Sequence, residues 1–374
     1  MKKIGYFFLA LLFMNLSFGQ KKQDFVLTSP NGKIQVEIVI DNIITWTILH
    51  QKEVVLAPSP MSLTLDQNEI LGKNSVLLNS KREKVTTSFE SPFYKKSAIK
   101  NQYNLLLLNF KNDFSIEYRA FDDGVAYRFI TKNKKDITVK SEEVSLNFDE
   151  DYNTVMPYVR DLRNPKDPYI SSFESHYENK KISEFAKDTL AFLPFLVDLK
   201  NNKKAVFLEA NLEDYPGLFV THNKTKTGFE ARFSNYPLQE KNGGFNFLNK
   251  LITQRADYLV TTKGTRNFPW RIVVISENDK DLSNNDMVQK LSEPSKIKDI
   301  SWIKPGKVAW DWWNDWNIYN VNFQAGINTE TYKYYIDFAA KNKVEYIVLD
   351  EGWSVETNIM EHNPKVDLNA LIAY

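Results

Sequence analysis

The chain has 374 residues, of which 43% are hydrophobic and 14% aromatic, so it is long enough to form more than one domain with a packed core. Its 48 lysines and arginines against 47 aspartates and glutamates leave a formal charge of +1, which excludes a broad basic surface for nucleic acid or anionic lipid. The absence of cysteine excludes disulfides, thiolate metal sites and a cysteine nucleophile.

The N-terminus has the pattern of a secretory signal. Two lysines follow Met1, an apolar run extends from Ile4 to Met14, and a small-residue stretch ends at Gly19. The run is shorter than the ~20 residues that a membrane span needs. We therefore predict a cleaved signal peptide over residues 1–19, no membrane anchor, and a periplasmic or secreted protein.

Short segments rich in β-branched and aromatic residues dominate the chain from Phe25 to about Ile275. The clearest predicted strands are Lys33–Ile40, Ile44–Leu49, Asn104–Phe110, Phe114–Phe121, Ala126–Thr131, Lys204–Glu209, Ala256–Val260 and Arg271–Ile275. Many strands with hairpin-length links favour an antiparallel architecture. We predict a large β-sandwich over residues 20–276.

One hairpin has a specific turn signal. Asp122, Asp123 and Gly124 separate two of the predicted strands. Because Asp-Gly tolerates the positive φ angles of tight turns, we expect a two-residue hairpin here, with a structural role. Further along, residues 277–303 lose the strand pattern and become polar, which indicates a linker that contains helices.

The last part of the chain changes to an alternation of strands and helices. Lys307–Asp311 and Val344–Leu349 read as buried parallel strands. Between them we predict a helix that Asn328 or Thr329 caps and that ends near Asn342. Its predicted inward residues are Tyr332, Tyr335, Ile336 and Ala339.

A second helix is predicted after Asp367, which serves as its N-cap, with Leu368, Leu371 and Ile372 on its apolar face. The order strand, helix, strand, helix is that of right-handed βα repeats. A complete (β/α)8 barrel takes ~250 residues. We therefore predict that residues 304–374 are the first part of a truncated barrel, and that the chain is a fragment of a longer protein.

Acidic and aromatic side chains follow both predicted parallel strands. Five of the eight tryptophans lie there, at positions Trp310, Trp312, Trp313, Trp316 and Trp353. Sugar rings have apolar C–H faces and a rim of hydroxyls, so aromatic platforms beside carboxylates favour a carbohydrate site. The alternative is that some of these tryptophans only fill space between two domains.

Asp350 and Glu351 follow the second strand directly, at the end where barrel enzymes place their active sites. Neighbouring strand residues point to opposite faces, so only one of the two can face a pocket easily. A pair of carboxylates that flanks a glycosidic bond is therefore not expected from these two positions. At least one catalytic acid should come from another strand.

A polar loop around Glu174 and His176 could serve a site in a neighbouring domain. From spacing alone, Glu174 is either a lone carboxylate ligand or a solvated charge. The four histidines of the chain lack the paired spacing of a zinc site, although oxygen ligands for a hard cation remain possible. No Gly-x-Ser-x-Gly elbow suggests an esterase or lipase.

Several short motifs resemble glycoside hydrolase family 97, which contains exported α-glucosidases and α-galactosidases. The segments that carry the resemblance are Thr28–Lys33, Tyr118–Phe129, Phe173–Tyr177, Asp214–Gly217, Pro305–Trp313 and Leu349–Trp353. The resemblance implies an N-terminal β-super-sandwich, a catalytic (β/α)8 barrel and a C-terminal β-sandwich that this chain lacks.

The resemblance also implies chemistry. It places Trp310 and Glu351 in the substrate subsite, with Asp350 as a second choice, and Glu174 among the ligands of a Ca²⁺ ion. The other calcium ligands and the catalytic residues, whether inverting or retaining, are expected beyond Tyr374. The fragment alone should be inactive, while the parent hydrolyses α-glycosidic bonds of oligosaccharides. The alternative is a non-catalytic carbohydrate-binding β-sandwich module; the oligomeric state stays open.

Overall fold

The computed structural model describes residues 22–159, 167–171, 173–174, 176–186, 189–224, 227–244 and 249–374. The predicted signal peptide lies outside these residues. The chain forms two compact units. The first, which we call the sandwich unit, holds the described residues up to Glu90, Ala98–Leu238 and Arg255–Ser292. The second unit holds Glu293–Tyr374 together with Ser91–Ser97 and the described part of Gln239–Gln254.

The strands in chain order are β1 (Gln23–Thr28), β2 (Ile34–Ile40), β3 (Ile44–His50), β4 (Glu53–Leu65), β5 (Ile70–Leu71), β6 (Leu77–Glu90), β7 (Ala98–Phe110), β8 (Phe114–Phe121), β9 (Gly124–Lys132), β10 (Ile137–Asn147), β11 (Asn153–Met156), β12 (Glu178–Lys181), β13 (Phe195–Asp198), β14 (Lys204–Ala210), β15 (Phe219–His222), β16 (Gly228–Arg232), β17 (Pro237–Gly243), β18 (Asn249–Arg255), β19 (Val260–Thr262), β20 (Thr265–Asn267), β21 (Trp270–Ser276), β22 (Val308–Trp310), β23 (Tyr346–Val348), β24 (Ser354–Val355) and β25 (Asn358–His362). The α-helices are α1 (Asp279–Leu282), α2 (Met287–Leu291), α3 (Thr329–Asn342) and α4 (Leu368–Ala373). None of the described helices has the length and apolar character to cross a membrane.

Two large antiparallel sheets form the sandwich unit. In the first sheet the neighbours run β1-β2-β3-β4-β10-β16-β15, with β5 beside β4 and β19 beside β10. In the second they run β12-β11-β13-β14-β21-β9-β8-β7-β6, with β20 beside β9. Strands β17 and β18 pair only with each other.

The two sheets share one hydrophobic core. Strands β2 and β3 alternate buried and half-buried residues along their whole length, as a sheet with one inward face must. Trp46 of β3 contacts Tyr127 of β9 edge to face, with 4.9 Å between ring centroids. The Tyr118 hydroxyl of β8 lies 3.2 Å from the Met61 sulfur of β4. This packing agrees with the predicted antiparallel sandwich.

The hairpin between β8 and β9 is confirmed, but the reason for its glycine differs from the prediction. None of Asp122, Asp123 and Gly124 has a positive φ. A Cβ atom at Gly124 would lie 2.6 Å from the Val273 carbonyl oxygen of the neighbouring strand β21. The glycine is therefore required for the close approach of two backbones.

The predicted strand Ala256–Val260 is wrong for all but its last residue, where β19 begins. Ala256 donates its N–H to the Tyr236 carbonyl, and Tyr236 donates its own N–H to the Tyr258 carbonyl. These bonds satisfy the backbone in a bend while Ala256 and Leu259 remain buried. Apolar content alone predicted burial here, but not a strand.

The second unit contains the predicted parallel repeat. Strands β22 and β23 pair in parallel, and α3 lies between them in sequence and against both in space. Asn328 caps α3, because its side chain accepts a hydrogen bond of 2.9 Å from the Thr331 N–H. The helix ends at Asn342, and Asp367 caps α4 through the Ala370 N–H, as the sequence predicts.

Two burial predictions for the second unit are wrong. Both predicted parallel strands are shorter than expected and largely exposed, because α3 is the one described helix that lies against them. Ile372 is 76% exposed, since α4 buries only Leu371. The core consists of Tyr332, Val366 and Leu371, with half-buried apolar neighbours around them.

The predicted linker, residues 277–303, divides between the two units at Ser292. Its first part contains α1 and α2, and α2 buries Met287 and Leu291 in a small cluster with Trp270. Asp123 of the β8–β9 hairpin holds α2 through an ion pair of 3.0 Å with Lys290. The domain bounds given by the sequence remain predictions.

Candidate functional site

The ends of β22 and β23 bring the predicted substrate residues together. Parallel strands point their C-terminal ends to the same edge, so Trp310 at the end of β22 and Asp350 after β23 become neighbours. The Trp310 indole N–H donates to Asp350 Oδ2 over 2.6 Å. The Glu351 N–H donates to Asp350 Oδ1 over the same distance, 2.6 Å.

Asp311 organises this edge, and sequence reasoning did not single it out. Its side chain is 1% exposed. The carboxylate accepts a hydrogen bond from the Trp316 indole N–H at 3.0 Å and lies 3.2 Å and 3.3 Å from the Asp350 backbone nitrogen, which donates to it. Asp311 is an acid that follows a strand directly, as Asp350 does, and this position was the signal that could have identified it.

Two buried tyrosines of α3 surround Asp311. The Tyr335 hydroxyl donates to Asn314 Oδ1 over 2.5 Å, which ties the helix to the loop after β22. Burial, and then the nearby Asp311 carboxylate, raise the pKa of Tyr332 well above its usual value. Tyr335 therefore acts as a fixed hydrogen-bonding group, whereas Tyr332 is a packing group whose hydroxyl has no hydrogen-bond partner among the described residues.

Exposed aromatic rings extend from this edge. They border a pocket of about 710 Å³, which includes Trp310, Trp313, Tyr319, Tyr334 and Phe338 in its lining. Trp310 is 40% exposed and Trp313 is 83% exposed. Beside them, the rings of Trp312 and Trp316 lie 4.7 Å apart at an interplanar angle of 50°. Such surfaces suit the C–H faces of a sugar ring.

The two acids after β23 have different surroundings. Asp350 is half-buried and its two oxygens accept the hydrogen bonds from Trp310 and from the Glu351 backbone. Glu351 is exposed, and its carboxylate makes no hydrogen bond or ion pair with the described residues. The Asp350 carboxylate is thus occupied by protein donors, whereas the Glu351 carboxylate has no partner among the described residues.

The fourth predicted site residue, Glu174, belongs to the sandwich unit. The loop before it is held by ring contacts of Tyr169 and Phe173 with Phe219, at 5.1 Å and 5.8 Å between centroids. Arg255 donates to Asp167 over 2.6 Å at the start of the same loop. The Glu174 side chain is exposed and has no hydrogen-bond partner among the described residues.

The described residues do not fit a complete calcium site. Calcium takes six to eight oxygen ligands. Across the described ranges, no group of three or more histidine, aspartate or glutamate side chains is placed to hold a metal ion. Glu174 is therefore not part of such a group among the described residues.

Comparison with known proteins gives consistent matches along the chain. The sequence model described as "Glycosyl-hydrolase 97 N-terminal" matches residues 27–294, and the model "Glycoside hydrolase 97" matches residues 312–374. A protein named "Retaining alpha-galactosidase" from Bacteroides thetaiotaomicron is 40% identical over all of the chain and 57% of its own length. A "Probable retaining alpha-galactosidase" from Streptomyces bingchenggensis is 23% identical over 87% of the chain and 45% of its own length.

Solved structures show the same fold. A glycoside hydrolase family 97 enzyme from Pseudoalteromonas sp. strain K8, in complex with acarbose, superposes with a TM-score of 0.77 over 94% of the chain and 52% of the enzyme, at 21% identity. A variant of that enzyme is known in complex with panose. The chain spans about half the length of these relatives.

Proposed function

Because the chain belongs to glycoside hydrolase family 97, we propose that it is part of an enzyme that hydrolyses α-galactosidic bonds of oligosaccharides with retention of configuration. The linkage and the stereochemistry are taken from the names of the two similar galactosidases. The observation that carries the proposal is the meeting of Trp310, Asp350 and Glu351 at the ends of two parallel strands. The finer architecture, a (β/α)8 barrel that begins with β22, α3 and β23, is part of the same proposal.

The residues of this chain bind and orient the sugar. The hydrogen bond from Trp310 to Asp350 fixes the indole plane, so that the ring can receive a C–H face without first losing rotamer freedom. The Asp311 carboxylate accepts a hydrogen bond from the Asp350 backbone N–H and so fixes the backbone there. Glu351 is then placed to accept hydrogen bonds from substrate hydroxyls.

Bond cleavage needs two further carboxyl groups. A retaining glycosidase places an acid and a nucleophile ~5–5.5 Å apart on either side of the scissile bond. Asp350 is engaged by two hydrogen bonds, and Glu351 follows it directly in the chain. We assign both to substrate positioning and infer that the acid and the nucleophile come from residues other than these.

The test uses the protein translated from the complete reading frame. We expect it to hydrolyse 4-nitrophenyl α-D-galactopyranoside faster than the corresponding glucoside, and proton NMR should show the α-anomer of galactose first. Trp310→Ala should raise KM about tenfold, by the loss of one aromatic contact. Asn369→Ala, which removes an exposed amide of the same unit outside the pocket lining, is the matched control and should leave KM unchanged. Equal KM values in both variants would contradict the assignment of Trp310.

Calcium and export are separate parts of the proposal. Glu174 supports calcium binding because it is an exposed carboxylate without a partner among the described residues. Turnover should fall in the presence of a chelator and return with added Ca²⁺, and Glu174→Gln should weaken calcium binding in calorimetry. Unchanged binding would remove Glu174 from the ligands. For export, N-terminal sequencing of protein from the periplasm should begin near Gln20.

A further inference from the structure

A further pocket lies in the sandwich unit, and the proposed function does not use it. Its volume of about 780 Å³ lies within the roughly 300–1,000 Å³ of small-molecule sites. All of its lining residues belong to the sandwich unit. The aromatic members of the lining are Tyr169, Phe173, Tyr215, Phe219 and Tyr236.

Tyr236 is the most exposed of these rings. It is 47% exposed, and Tyr258 supports it in a stacked arrangement with 5.8 Å between centroids and an angle of 20°. Tyr215 is buried and lies edge-on to Phe268 at 5.5 Å. The pocket therefore combines two exposed rings, Tyr236 and Phe173, with the buried ring of Tyr215.

Two arginines hold the walls of the pocket in place. Arg255 donates to Ser234 Oγ at 2.5 Å, to the Asn235 carbonyl at 2.8 Å and to Asp167 at 2.6 Å. It therefore connects the segment at Asp167 with the segment at Ser234 and Asn235. Arg266 donates to the carbonyls of Glu213 and Asp214 over 3.0 Å and 3.3 Å. A ligand would meet a surface that is already ordered, which reduces the entropic cost of binding.

Asp214 is an acidic member of the same lining. Its backbone carbonyl is taken by Arg266, but its carboxylate makes no hydrogen bond with any residue that the structure describes. The side chain is exposed at the pocket. A carboxylate without a partner among the described residues and an open aromatic ring, both in the lining of one pocket, offer the two contacts that a sugar needs: a hydroxyl acceptor and an apolar platform.

We propose that this pocket binds one pyranose ring of a neutral oligosaccharide, with a C–H face on Tyr236 and a hydroxyl that donates to Asp214. The pocket goes beyond the proposed function and relies on it only for the class of ligand. It gives the sandwich unit its own contact with the glycan. It also assigns a role to the Asp214–Gly217 motif, which the proposed site does not use.

The test measures binding to the 374-residue chain by calorimetry and by saturation-transfer NMR, with raffinose and panose as probes. Tyr236→Ala should weaken binding about five- to tenfold, which is the range for one aromatic contact. Tyr236→Phe keeps the ring and should bind as the parent does. Asp214→Asn should weaken binding without a change in the melting temperature. Phe89→Ala, which removes an exposed ring on β6 outside the pocket, is the matched control.

The outcomes separate this pocket from the strand-end site. If Tyr236→Ala and Phe89→Ala bind both probes equally well, the pocket proposal is overturned. If Trp310→Ala alone abolishes binding, the pocket proposal fails while the proposed function stands. If the Tyr236→Ala and Asp214→Asn variants lose binding while the complete enzyme shows no galactosidase activity, the pocket stands and the proposed function fails.

Discussion

The two units of the chain place their tryptophans in different environments. In the sandwich unit, Trp46, Tyr118 and Tyr127 are fully buried between two sheets that each turn one apolar face inward. In the second unit, Trp313 and Phe338 are exposed around a pair of parallel strands. The difference shows that aromatic content alone does not decide burial. Burial depends instead on the number of layers that a sheet can pack against.

The units also differ in how they treat charge. The sandwich unit buries Arg271, which donates to both oxygens of Glu142 and to Glu209. Burial opposes the charge on Arg271, but the two glutamates outweigh it and raise its pKa. Burial raises the pKa of Glu209, although Arg271 acts against this. In the second unit, Asp311 is the buried acid and its partners are N–H groups.

The largest effect should come from Arg271→Met, which breaks the charged network of the sandwich unit. The substitution leaves Glu142 and Glu209 buried without a countercharge, so we expect a loss of about 3–5 kcal/mol in the free energy of unfolding. Urea titration measures this loss, while hydrogen exchange of α3 should stay unchanged. Arg232→Met removes an exposed ion pair with Glu230 and should cost no more than about 1 kcal/mol. Equal losses of unfolding free energy in the two variants would show that the buried network stabilises the unit no more than an exposed ion pair does.

A smaller effect is expected from Asn328→Ala in the second unit. The variant loses the hydrogen bond to the Thr331 N–H that begins α3, at a cost of about 1 kcal/mol. Because the core of this unit is small, amide exchange should accelerate throughout α3 and should not change in β2 and β3. Asn369→Ala, at an exposed position of α4, is the control. If α3 exchanged equally fast in both variants, the cap would have no measurable role.

The smallest effect concerns pH and His50 of the sandwich unit. Burial, and then Lys203, lower the pKa of His50 below its ordinary 6.5, with Lys33 acting in the same direction and Glu53 and Glu277 acting against them. The neutral form is therefore favoured in the folded state, and the stability that it contributes is lost as the pH falls from 6.5 through the lowered pKa. His50→Gln should flatten the stability curve between pH 7 and pH 5. An unchanged slope would rule out His50 as the source.

Local signals in the sequence were sufficient for much of the fold. Period-two alternation identified β2 and β3, and side chains with specific hydrogen-bonding roles identified the caps Asn328 and Asp367. The bend at Ala256–Leu259 was not predictable, because it depends on hydrogen bonds with Tyr236, which lies 20 positions before Ala256 in the chain. The role of Gly124 depends in the same way on the neighbouring strand β21.

The proximity of Trp310 and Asp350 was predictable from the sequence, whereas the part of Asp311 and the hydrogen bonds between these residues were not. Because parallel strands end at the same edge of a sheet, the sequence predicted Trp310, Asp350 and Glu351 at one edge. The parallel pairing brings Trp310 and Asp350 into contact. The different surroundings of Asp350 and Glu351 depend on the hydrogen bonds that the Asp350 oxygens accept. The burial of Asp311 depends on α3, whose Tyr335 contacts Asp311 and Asn314. Such information is set by tertiary contacts, which a single sequence does not contain.

The close approach of Trp312 and Trp316 gives the second unit an optical signature of its own. Two indoles 4.7 Å apart at an angle of 50° couple their electronic transitions and should produce a circular dichroism couplet. The described tryptophans of the sandwich unit, Trp46 and Trp270, form no such pair. The couplet therefore reports the order around the strand ends directly, and its change on adding a sugar would follow binding without a label.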